Sequence, residues 1–535
     1  MRIKANYVDI FNRRIFPAEI VVEEGKISLV QEIETPCDTY ILPGFVDAHI
    51  HIESSMLPPS EFSRLAVCHG TVATVSDPHE IANVLGIKGV EYMLENSKET
   101  PFKFYFGASP CVPATVFETN GATLGPSEIE KLLEMPQIKY LSEVMNFPGV
   151  IGGDPDMLAK IAVAKRLHKQ IDGHAPGLSG KDLDIYIKAG ITTDHEAFTY
   201  EEGREKLEKG MKILIREGSA AKNFEALAPL IAEYPDALMF CSDDRHPNDL
   251  ALEHINGHVK RALEKGYDLF DILKIASVNP IEHYGLEVGL LRVGDPADFI
   301  EVEDLNDFRI LRTVIEGHTV YENEKVLIDS VKVDTPNVFN TTVKKSEDFM
   351  LEPCKRGEVI HAIDHSLITE EEVVDLSNEN VKDILKITVV NRYSNTVPAV
   401  AYVHGFGLKE GAIASSVAHD SHNIIAVGCS DALIAKAVNA VIEQKGGVCA
   451  VTENEVHLLA LPIAGLMSDK DGFEVAEAYA VLDSFVKNKL HSPLSAPFMT
   501  LSFMALLVIP ELKLSDKGLF DGRTFHFIDS CRRVK

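Results

Sequence analysis

Residues 43–285 alternate short apolar runs with helical patterns, and this rhythm constrains the fold more than any other feature of the chain. Two of the intervening helices are predicted over 156–167 and 223–233. Eight runs are predicted strands: 44–49, 71–76, 103–107, 139–143, 170–174, 191–195, 212–215 and 237–242. Eight parallel strands in about 240 residues suit a closed (β/α)8 TIM barrel, with its active site at the carboxyl ends of the strands. We therefore predict an α/β fold in which 43–285 form the catalytic barrel.

The segments on either side of the barrel, 1–42 and 286–330, are predicted to pair into one small β-domain. In the first, the β-branched run 20–22, a turn at 24–26 and the short return segment 27–30 indicate a hairpin. In the second, the predicted strands are 289–294, 297–302 and 313–317.

A chain of 535 residues is long enough for a further folded unit. Residues 331–356 are polar and weakly patterned, which predicts a linker, and 357–535 are predicted to form a separate C-terminal α/β domain. Its predicted strands are 386–390, 399–403 and 424–427, and its predicted helices are 430–444 and 471–490.

The composition excludes several classes of partner. The 81 acidic residues outnumber 52 Lys and Arg, for a net charge of -29, so neither nucleic acid nor an anionic membrane is an expected partner. The eight cysteines show no C-x-x-C spacing, which is typical of a reduced cytosolic protein. No apolar run approaches the 18 residues of a membrane span. We expect a cytoplasmic protein that acts on a small neutral molecule.

His49 and His51 form the strongest local signal, within the string PGFVDAHIHIE that begins at Pro43. Residues i and i+2 of a strand project to the same face, so both imidazoles would point into the barrel mouth and could hold one divalent ion. Taken alone, such a pair is more often a core or surface feature than a metal site.

Further ionisable residues lie where other predicted strands end, namely Glu143, His174, His195 and Asp243. Each has an ordinary structural explanation as a loop residue, a helix cap or a core histidine. Their shared position at barrel-strand ends, together with the paired histidines, favours a single polar site. Imidazoles and carboxylates suit Zn, Mn or Fe(II), and the ligand types leave that choice open.

The PGFVDAHIH element, the order of the later candidate ligands and the string GDPAD at 294–298 resemble the amidohydrolase superfamily. Many members bridge two metals through a carboxylated lysine on the fourth barrel strand. Here Glu143 ends that strand and no lysine takes the position. A glutamate supplies the same negative charge without modification.

Longer strings resemble the adenine deaminase family of bacteria and archaea over nearly the whole chain. They are HIESSM (51–56), SDPHE (76–80), SEVMNFPGV (142–150), DGHAP (172–176), CSDDRHP (241–247) and AHDSHN (418–423). The resemblance implies adenine as a small-molecule substrate, hydrolytic deamination as the reaction and a homo-oligomer, most simply a dimer.

The resemblance also implies a pair of divalent metals, Mn(II) or Fe(II), with Zn(II) as a further candidate. The implied ligands are His49, His51 and Asp243 for one metal, His174 and His195 for the other, and Glu143 as the bridge. A metal-activated hydroxide would attack C6 of adenine, and Asp243 would pass the proton to the departing ammonia. Asp243 and Glu143 are therefore the predicted catalytic residues.

Asp77, His79, Glu80 and Asp244 are the predicted substrate contacts. The first three follow the second barrel strand at the same mouth, although a proline turn with Glu80 at a helix start explains them equally well. Asp244 would orient Asp243 or bind the purine, and a plain loop carboxylate is nearly as good an explanation.

The histidine-rich group His419, Asp420 and His422 lies in the C-terminal domain. It would either cap the active site or stabilise that domain internally, and the sequence favours the structural interpretation.

Two alternative functions stay open at this stage. A cyclic-amide hydrolase of the dihydroorotase or hydantoinase type shares the fold, but such enzymes commonly have the lysine bridge and open rings. A non-catalytic binding protein on the same barrel is the second alternative, and six intact candidate ligands argue against it. Zinc deaminases that edit nucleic acid need a C-x-x-C motif, which this chain lacks.

Overall fold

A computed structural model describes residues 1–352, 355–377 and 382–530. Its strands are β1 (Arg2–Asp9), β2 (Arg14–Glu23), β3 (Lys26–Glu32), β4 (Tyr40–Pro43), β5 (Phe45–Ile50), β6 (Thr71–Ser76), β7 (Lys103–Ala108), β8 (Ile138–Val144), β9 (Gln170–Gly173), β10 (Thr193–Asp194), β11 (Lys212–Arg216), β12 (Leu238–Cys241), β13 (Phe299–Val302), β14 (Ile310–Ile315), β15 (His318–Glu322), β16 (Lys325–Val326), β17 (Arg356–His361), β18 (Glu370–Asp375), β19 (Leu385–Val390), β20 (Ala399–His404), β21 (Ala412–Ser415), β22 (Ile424–Gly428), β23 (Gly447–Val451), β24 (Val456–Ala460), β25 (Leu512–Ser515), β26 (Gly518–Asp521) and β27 (His526–Phe527).

The α-helices are α1 (Pro59–Ala66), α2 (His79–Leu85), α3 (Ile87–Asn96), α4 (Pro126–Glu134), α5 (Phe147–Gly152), α6 (Pro155–Arg166), α7 (Gly180–Ala189), α8 (Tyr200–Glu208), α9 (Phe224–Leu227), α10 (Pro247–Leu252), α11 (Ile255–Glu264), α12 (Leu269–Leu273), α13 (Asn279–Tyr284), α14 (Asp431–Glu443), α15 (Gly472–Asn488) and α16 (Pro497–Phe503). Within the described ranges, none of these helices is long and apolar enough to span a bilayer. Cys354 and Cys531 lie outside the described residues, and the other six cysteines are free thiols.

All eight predicted barrel strands form, as β5 to β12. Strands β5 to β9 pair side by side, β10 to β12 form a second group, and every pairing is parallel. Backbone hydrogen bonds join the groups: Thr192 N donates to Ile171 O at 2.9 Å, and Asp243 N donates to His49 O at 2.9 Å. The chain therefore has the predicted (β/α)8 TIM-barrel fold, and the carboxyl ends of its strands surround one mouth.

The helices between the barrel strands follow local sequence signals. Helix α6 starts with Pro155 in its first turn, and the side chain of Asp154 accepts a hydrogen bond from Asp156 N at 3.2 Å. The helix predicted over 223–233 instead divides into α9 and a 3₁₀ segment, Ala228–Ala232. The division falls at Pro229, which has no N–H to continue an α-helix.

A separate eight-stranded sheet combines strands from both sides of the barrel segment, in the order β16-β15-β14-β13-β4-β1-β2-β3. Strands β4 and β13 pair antiparallel and so join its two halves. The predicted hairpin forms between β2 and β3, where Glu24 and Gly25 both have positive φ, 51° and 74°. Gly25 is needed there because a Cβ would also lie 2.9 Å from the carbonyl oxygen of Glu316.

The strand predicted over 289–294 does not form. The carboxylate of Asp295 accepts hydrogen bonds from Leu290 N at 3.0 Å and from Arg292 N at 3.3 Å. A local side-chain acceptor thus takes backbone donors that a sheet would have used.

The C-terminal part contains an eight-stranded sheet, β18-β17-β20-β19-β22-β21-β23-β24, and a three-stranded sheet, β25-β26-β27. The predicted strands form as β19, β20 and β22 and the predicted helices as α14 and α15, with ends shifted by at most two residues. In the described part of the segment predicted as a linker, Ser346–Phe349 form a 3₁₀ turn whose Phe349 is buried, and β17 begins at Arg356. The division of the chain into domains at the predicted boundaries stays a prediction.

The C-terminal part packs on the barrel mouth. Arg64 of α1 pairs with Asp471 at 2.6 Å, Ser468 N donates to Met56 O at 2.8 Å, and Thr119 Oγ1 donates to Asp516 at 2.6 Å. These contacts bring C-terminal side chains to the ends of the barrel strands.

Candidate metal centre and active-site cavity

The six predicted metal ligands meet at the barrel mouth, and all but the half-buried His174 are buried. Their places on the strands are His49 within β5, His51 directly after β5, Glu143 within β8, His174 directly after β9, His195 directly after β10, and Asp243 two residues after β12.

Glu143 lies between two sets of histidines. Its Oε1 is 3.3 Å from His51 Nε2, whereas its Oε2 is 2.7 Å from His174 Nδ1 and 3.3 Å from His195 Nε2. A carboxylate whose two oxygens face different imidazoles has the geometry needed to bridge two ions.

Asp243 faces the paired histidines of the first strand. Its Oδ1 is 3.1 Å from His51 Nε2 and 3.5 Å from His49 Nε2. Its backbone has a φ of 55°, which is uncommon for a residue other than glycine, and its N–H is held by the carbonyl of His49. Such strained conformations persist where the surroundings enforce them, as they do at many functional sites.

The donor set fits a divalent cation. Both ring nitrogens of His49 are buried and have no hydrogen-bond partner among the described residues. Leaving a buried polar atom unpaired costs about 1–3 kcal/mol, and a bound ion would supply the missing partner. The ligand atoms of His49, His195 and Asp243 lie within 4.8 Å of one another, and so do those of Glu143, His174 and His195. How the six ligands divide between two ions stays a prediction.

The charges around Glu143 keep it ionised. Burial alone would raise the pKa of Glu143, but His174 and His195 hold it well below its usual range. Burial alone would lower the pKa of His174, but Glu196 and Glu143 raise it to about 9. Glu143 and His174 therefore form an ion pair in the metal-free protein, and a bound cation would take the place of the proton on His174.

Arg216 and Glu196 belong to the site, although the sequence analysis gave neither a role. Arg216 is the last residue of β11 and is fully buried. Its Nη1 donates to Asp243 Oδ2 at 2.6 Å and also to Glu196 Oε1, which lies 3.5 Å from His195 Nε2. The sequence contained a signal for both residues. Arg216 directly follows the predicted strand 212–215, and Glu196 directly follows His195, which ends the predicted strand 191–195.

Asp77 contacts two histidines of the site, and its predicted contact with substrate stays a prediction. Its backbone carbonyl lies 3.1 Å from His51 Nδ1, and its carboxylate lies 3.3 Å from His79 Nδ1 and accepts a hydrogen bond from Ser109. Asp77 is buried, and the residues that line the cavity in the described part of the chain do not include it. Its contacts with His51 and His79 suit a role in holding these two imidazoles in place.

His79, Glu80 and Asp244 do line the cavity. His79 Nδ1 is 3.4 Å from Glu143 Oε1, and its Nε2 is 3.3 Å from Glu80 Oε1. Asp244 accepts a hydrogen bond from Ser54 Oγ at 2.5 Å. All three are placed to contact a ligand, and their roles stay a prediction.

Glu80 joins the barrel to the C-terminal part. Its carboxylate accepts hydrogen bonds from His419 Nδ1 and His422 Nε2. His419 and Asp420 line the cavity, whereas His422 is fully buried beside them. The structural interpretation favoured by the sequence is therefore incomplete, because packing of the C-terminal part on the mouth exposes two of the three residues to the cavity.

The cavity above the predicted metal ligands has a volume of about 460 Å³, within the range of small-molecule sites. Its floor is polar. Its walls are apolar and come from the barrel and from the C-terminal part: Met145, Phe147, Phe198, Leu367, Ile368, Phe503, Leu506, Val508, Ile509 and Pro510. A polar floor beneath apolar walls suits a flat heteroaromatic ring with hydrogen-bonding edges.

Family models match two parts of the chain. The Amidohydrolase family matches residues 40–320, and the Adenine deaminase C-terminal domain matches residues 362–526. Together with the barrel and its buried imidazole and carboxylate groups, these matches define a metal-dependent hydrolase of the amidohydrolase class.

Adenine deaminase of Sulfurovum sp. (strain NBC37-1) is 79% identical over 533 residues, which cover 100% of both chains. Adenine deaminases of Salinibacter ruber and Borreliella burgdorferi are 54% and 50% identical, covering 98% and 99% of each chain. The chain belongs to the adenine deaminases of the amidohydrolase family. Among solved structures, a beta-aspartyl dipeptidase of Fervidobacterium islandicum is similar with a TM-score of 0.46 and 15% identity, covering 60% of this chain and 96% of that one.

Proposed function

We propose that the protein hydrolyses adenine to hypoxanthine and ammonia at the centre that contains Glu143. The observation that carries this proposal is the position of Glu143 between two sets of histidines, at the floor of a cavity of about 460 Å³. Full-length relatives named adenine deaminase support the choice of substrate.

The centre is proposed to hold two divalent ions, Mn(II) or Fe(II), with Zn(II) also compatible with the ligands. One ion would be held by His49, His51 and Asp243, the other by His174 and His195, with Glu143 shared between them. When bound, the ions supply a water molecule whose pKa is lowered toward neutrality.

Asp243 is proposed to move the proton. Arg216 occupies its Oδ2, so Oδ1, on the side of His49, is the oxygen that can accept a proton from the attacking water. As water adds at C6 and the C–N bond to the exocyclic amine breaks, that proton goes to the departing nitrogen, and ammonia leaves. Arg216 acts as a positioning residue, because it fixes which oxygen is available.

The purine is proposed to lie against the apolar walls with its polar edge toward the floor. Asp244, held by Ser54, and the imidazole of His79 are the proposed contacts for that edge. Glu80, which also lines the cavity, is a further proposed contact, and its hydrogen bond with His419 holds its carboxylate in place.

The proposal is tested by measuring ammonia release from a panel of purines and cytosine, with protein loaded with Mn(II). We expect ammonia and hypoxanthine in equal amounts from adenine, and a loss of both in Asp243→Asn. Ring opening of a cyclic amide without ammonia from adenine would reject the proposal.

We further propose that the protein acts in the cytoplasm, in purine salvage, as a homodimer. The acidic surface, with a net charge of -29, supports a soluble small-molecule enzyme. Analytical ultracentrifugation tests the dimer.

A further inference from the structure

Two histidines and two glutamates meet on the C-terminal eight-stranded sheet, outside the catalytic centre. His361 ends β17, His404 ends β20, and Glu370 and Glu372 lie on β18. None of these four residues is among the described residues that line the active-site cavity.

The strand register brings these side chains together. Strands β17 and β20 pair in parallel with His361 opposite His404, and β17 and β18 pair antiparallel with His361 opposite Glu370. Glu372 shares the face of Glu370, because alternate residues of a strand project to the same side. The backbone pairing therefore places all four groups on one face.

Glu372 lies between the two imidazoles. Its Oε1 is 3.1 Å from His361 Nδ1, and its Oε2 is 3.0 Å from His404 Nδ1. Glu370 Oε2 is also 3.1 Å from His361 Nδ1, and the two rings stack with centroids 4.8 Å apart. Around a tetrahedral zinc ion with bonds of about 2.0–2.1 Å, neighbouring donor atoms lie about 3.3 Å apart. The ligand atoms of His361, Glu372 and His404 lie within 4.8 Å of one another, and Glu370 adjoins them through His361, so the cluster is close to the spacing of ligands that share one ion.

The charge and exposure of the cluster also suit a cation. Within the described residues, the ion pairs of Glu370 and Glu372 are with histidines and not with Lys or Arg. The side chains of His361, Glu372 and His404 are 27–33% exposed, so an ion can reach them from solvent. The strongly negative chain raises the local concentration of divalent cations.

The cluster lies at the base of a loop that walls the active site. Strand β17 ends at His361 and β18 begins at Glu370, and the loop between them carries Leu367 and Ile368 into the cavity wall. An ion held by His361 and Glu370 would join the two ends of that loop.

We propose that His361, Glu370, Glu372 and His404 form an additional divalent-cation site that stiffens the wall loop, residues 362–369. Two imidazoles with two carboxylates suit Zn(II) and similar borderline ions. The site shares no residue with the proposed catalytic centre.

The first test is the total metal content of the full chain after equilibration with excess Zn(II) and desalting. We expect the wild-type chain to retain one ion more than Glu372→Gln and His404→Asn. The matched control is His365→Asn, which removes an exposed histidine of the same loop and should retain the wild-type content. Equal content in all four proteins would overturn the site. Should His404→Asn fail to fold, Glu372→Gln, nearly isosteric and at a partly exposed position, carries the comparison.

The second test is amide hydrogen exchange over the wall loop. Zn(II) at 100 times its Kd should slow exchange there by up to about a hundredfold in the wild type and leave Glu372→Gln unchanged. Equal exchange with and without Zn(II) would overturn the stiffening. Neither test measures deamination, so a failure of the proposed function would leave both results intact.

Discussion

Arg216 donates a hydrogen bond from Nη1 to Asp243 Oδ2 at 2.6 Å, and both side chains are buried. The same nitrogen contacts Glu196, so one guanidinium serves two carboxylates of the site. This contact leaves Oδ1 of Asp243 directed toward His49 and His51.

Arg216→Met should destabilise the protein strongly, because it leaves two buried carboxylates without their cation. Removing one partner of a buried ion pair costs about 3–5 kcal/mol. Arg216→Lys retains the charge and should recover part of the loss, while kcat for adenine falls more than KM changes. Denaturation midpoints and steady-state kinetics of both variants measure this, and a wild-type midpoint for Arg216→Met would contradict the pairing.

Asp243→Asn should lower turnover of adenine by about 10²- to 10⁴-fold, the usual contribution of a general acid–base group. The amide keeps the shape and much of the metal binding, and Arg216 keeps its ion pair with Glu196, so the fold and the metal content should change little. Stopped assays of ammonia together with elemental analysis test the prediction. Turnover close to that of the wild type would exclude Asp243 as the proton carrier.

Glu143→Ala should reduce metal occupancy, because it removes the carboxylate shared by both sets of histidines. Glu143→Gln is the matched variant that keeps the size and loses the charge, and it should bind less metal than the wild type. Elemental analysis of the purified variants is the measurement. A total metal content in Glu143→Ala equal to that of the wild type, measured side by side, would show that Glu143 is not a bridge.

Asp244→Asn should raise KM for adenine more than it lowers kcat, because Asp244 faces the cavity and is a proposed contact to the purine. Ser54→Ala removes the hydroxyl that holds this carboxylate and should raise KM to a smaller extent. Metal content should stay at the wild-type value in both. If KM is unchanged in Asp244→Asn, its carboxylate does not bind substrate.

Stability should fall as the pH rises from 6.5 to 9, because of His419. Burial would lower the pKa of His419, but the charges of Glu80 and Asp244 raise it to about 9, above about 6.5 in the unfolded chain. The folded state thus binds the proton more tightly, and this contribution, up to about 3 kcal/mol, is complete below pH 6.5 and lost as pH passes 9. Thermal midpoints across this range should fall less in His419→Gln, and identical slopes would refute the assignment.

The barrel was predictable because its strands are short apolar runs separated by helical patterns, and β-strand periodicity placed His49 and His51 on one face. The ends of later strands then indicated Glu143 and Asp243. These signals come from residues that are close together in the sequence, so they can be recognised without knowledge of the tertiary structure.

Two contacts that the sequence analysis missed depend on long-range packing. The partners of Arg216 come from two other strand ends, and no spacing along the chain predicts such a contact. His419 reaches the cavity only because the C-terminal part packs on the mouth and meets Glu80. The error at 289–294 had a local cause, since the carboxylate of Asp295 takes the backbone donors that a strand would use.

The central claim is that six side chains from separate strands converge on two cations. Anomalous diffraction at the manganese edge, on crystals of Mn(II)-loaded protein, tests it most directly. We expect two peaks beside Glu143, one toward His49 and one toward His174. No peak at Glu143, or peaks only elsewhere in the molecule, would contradict the account.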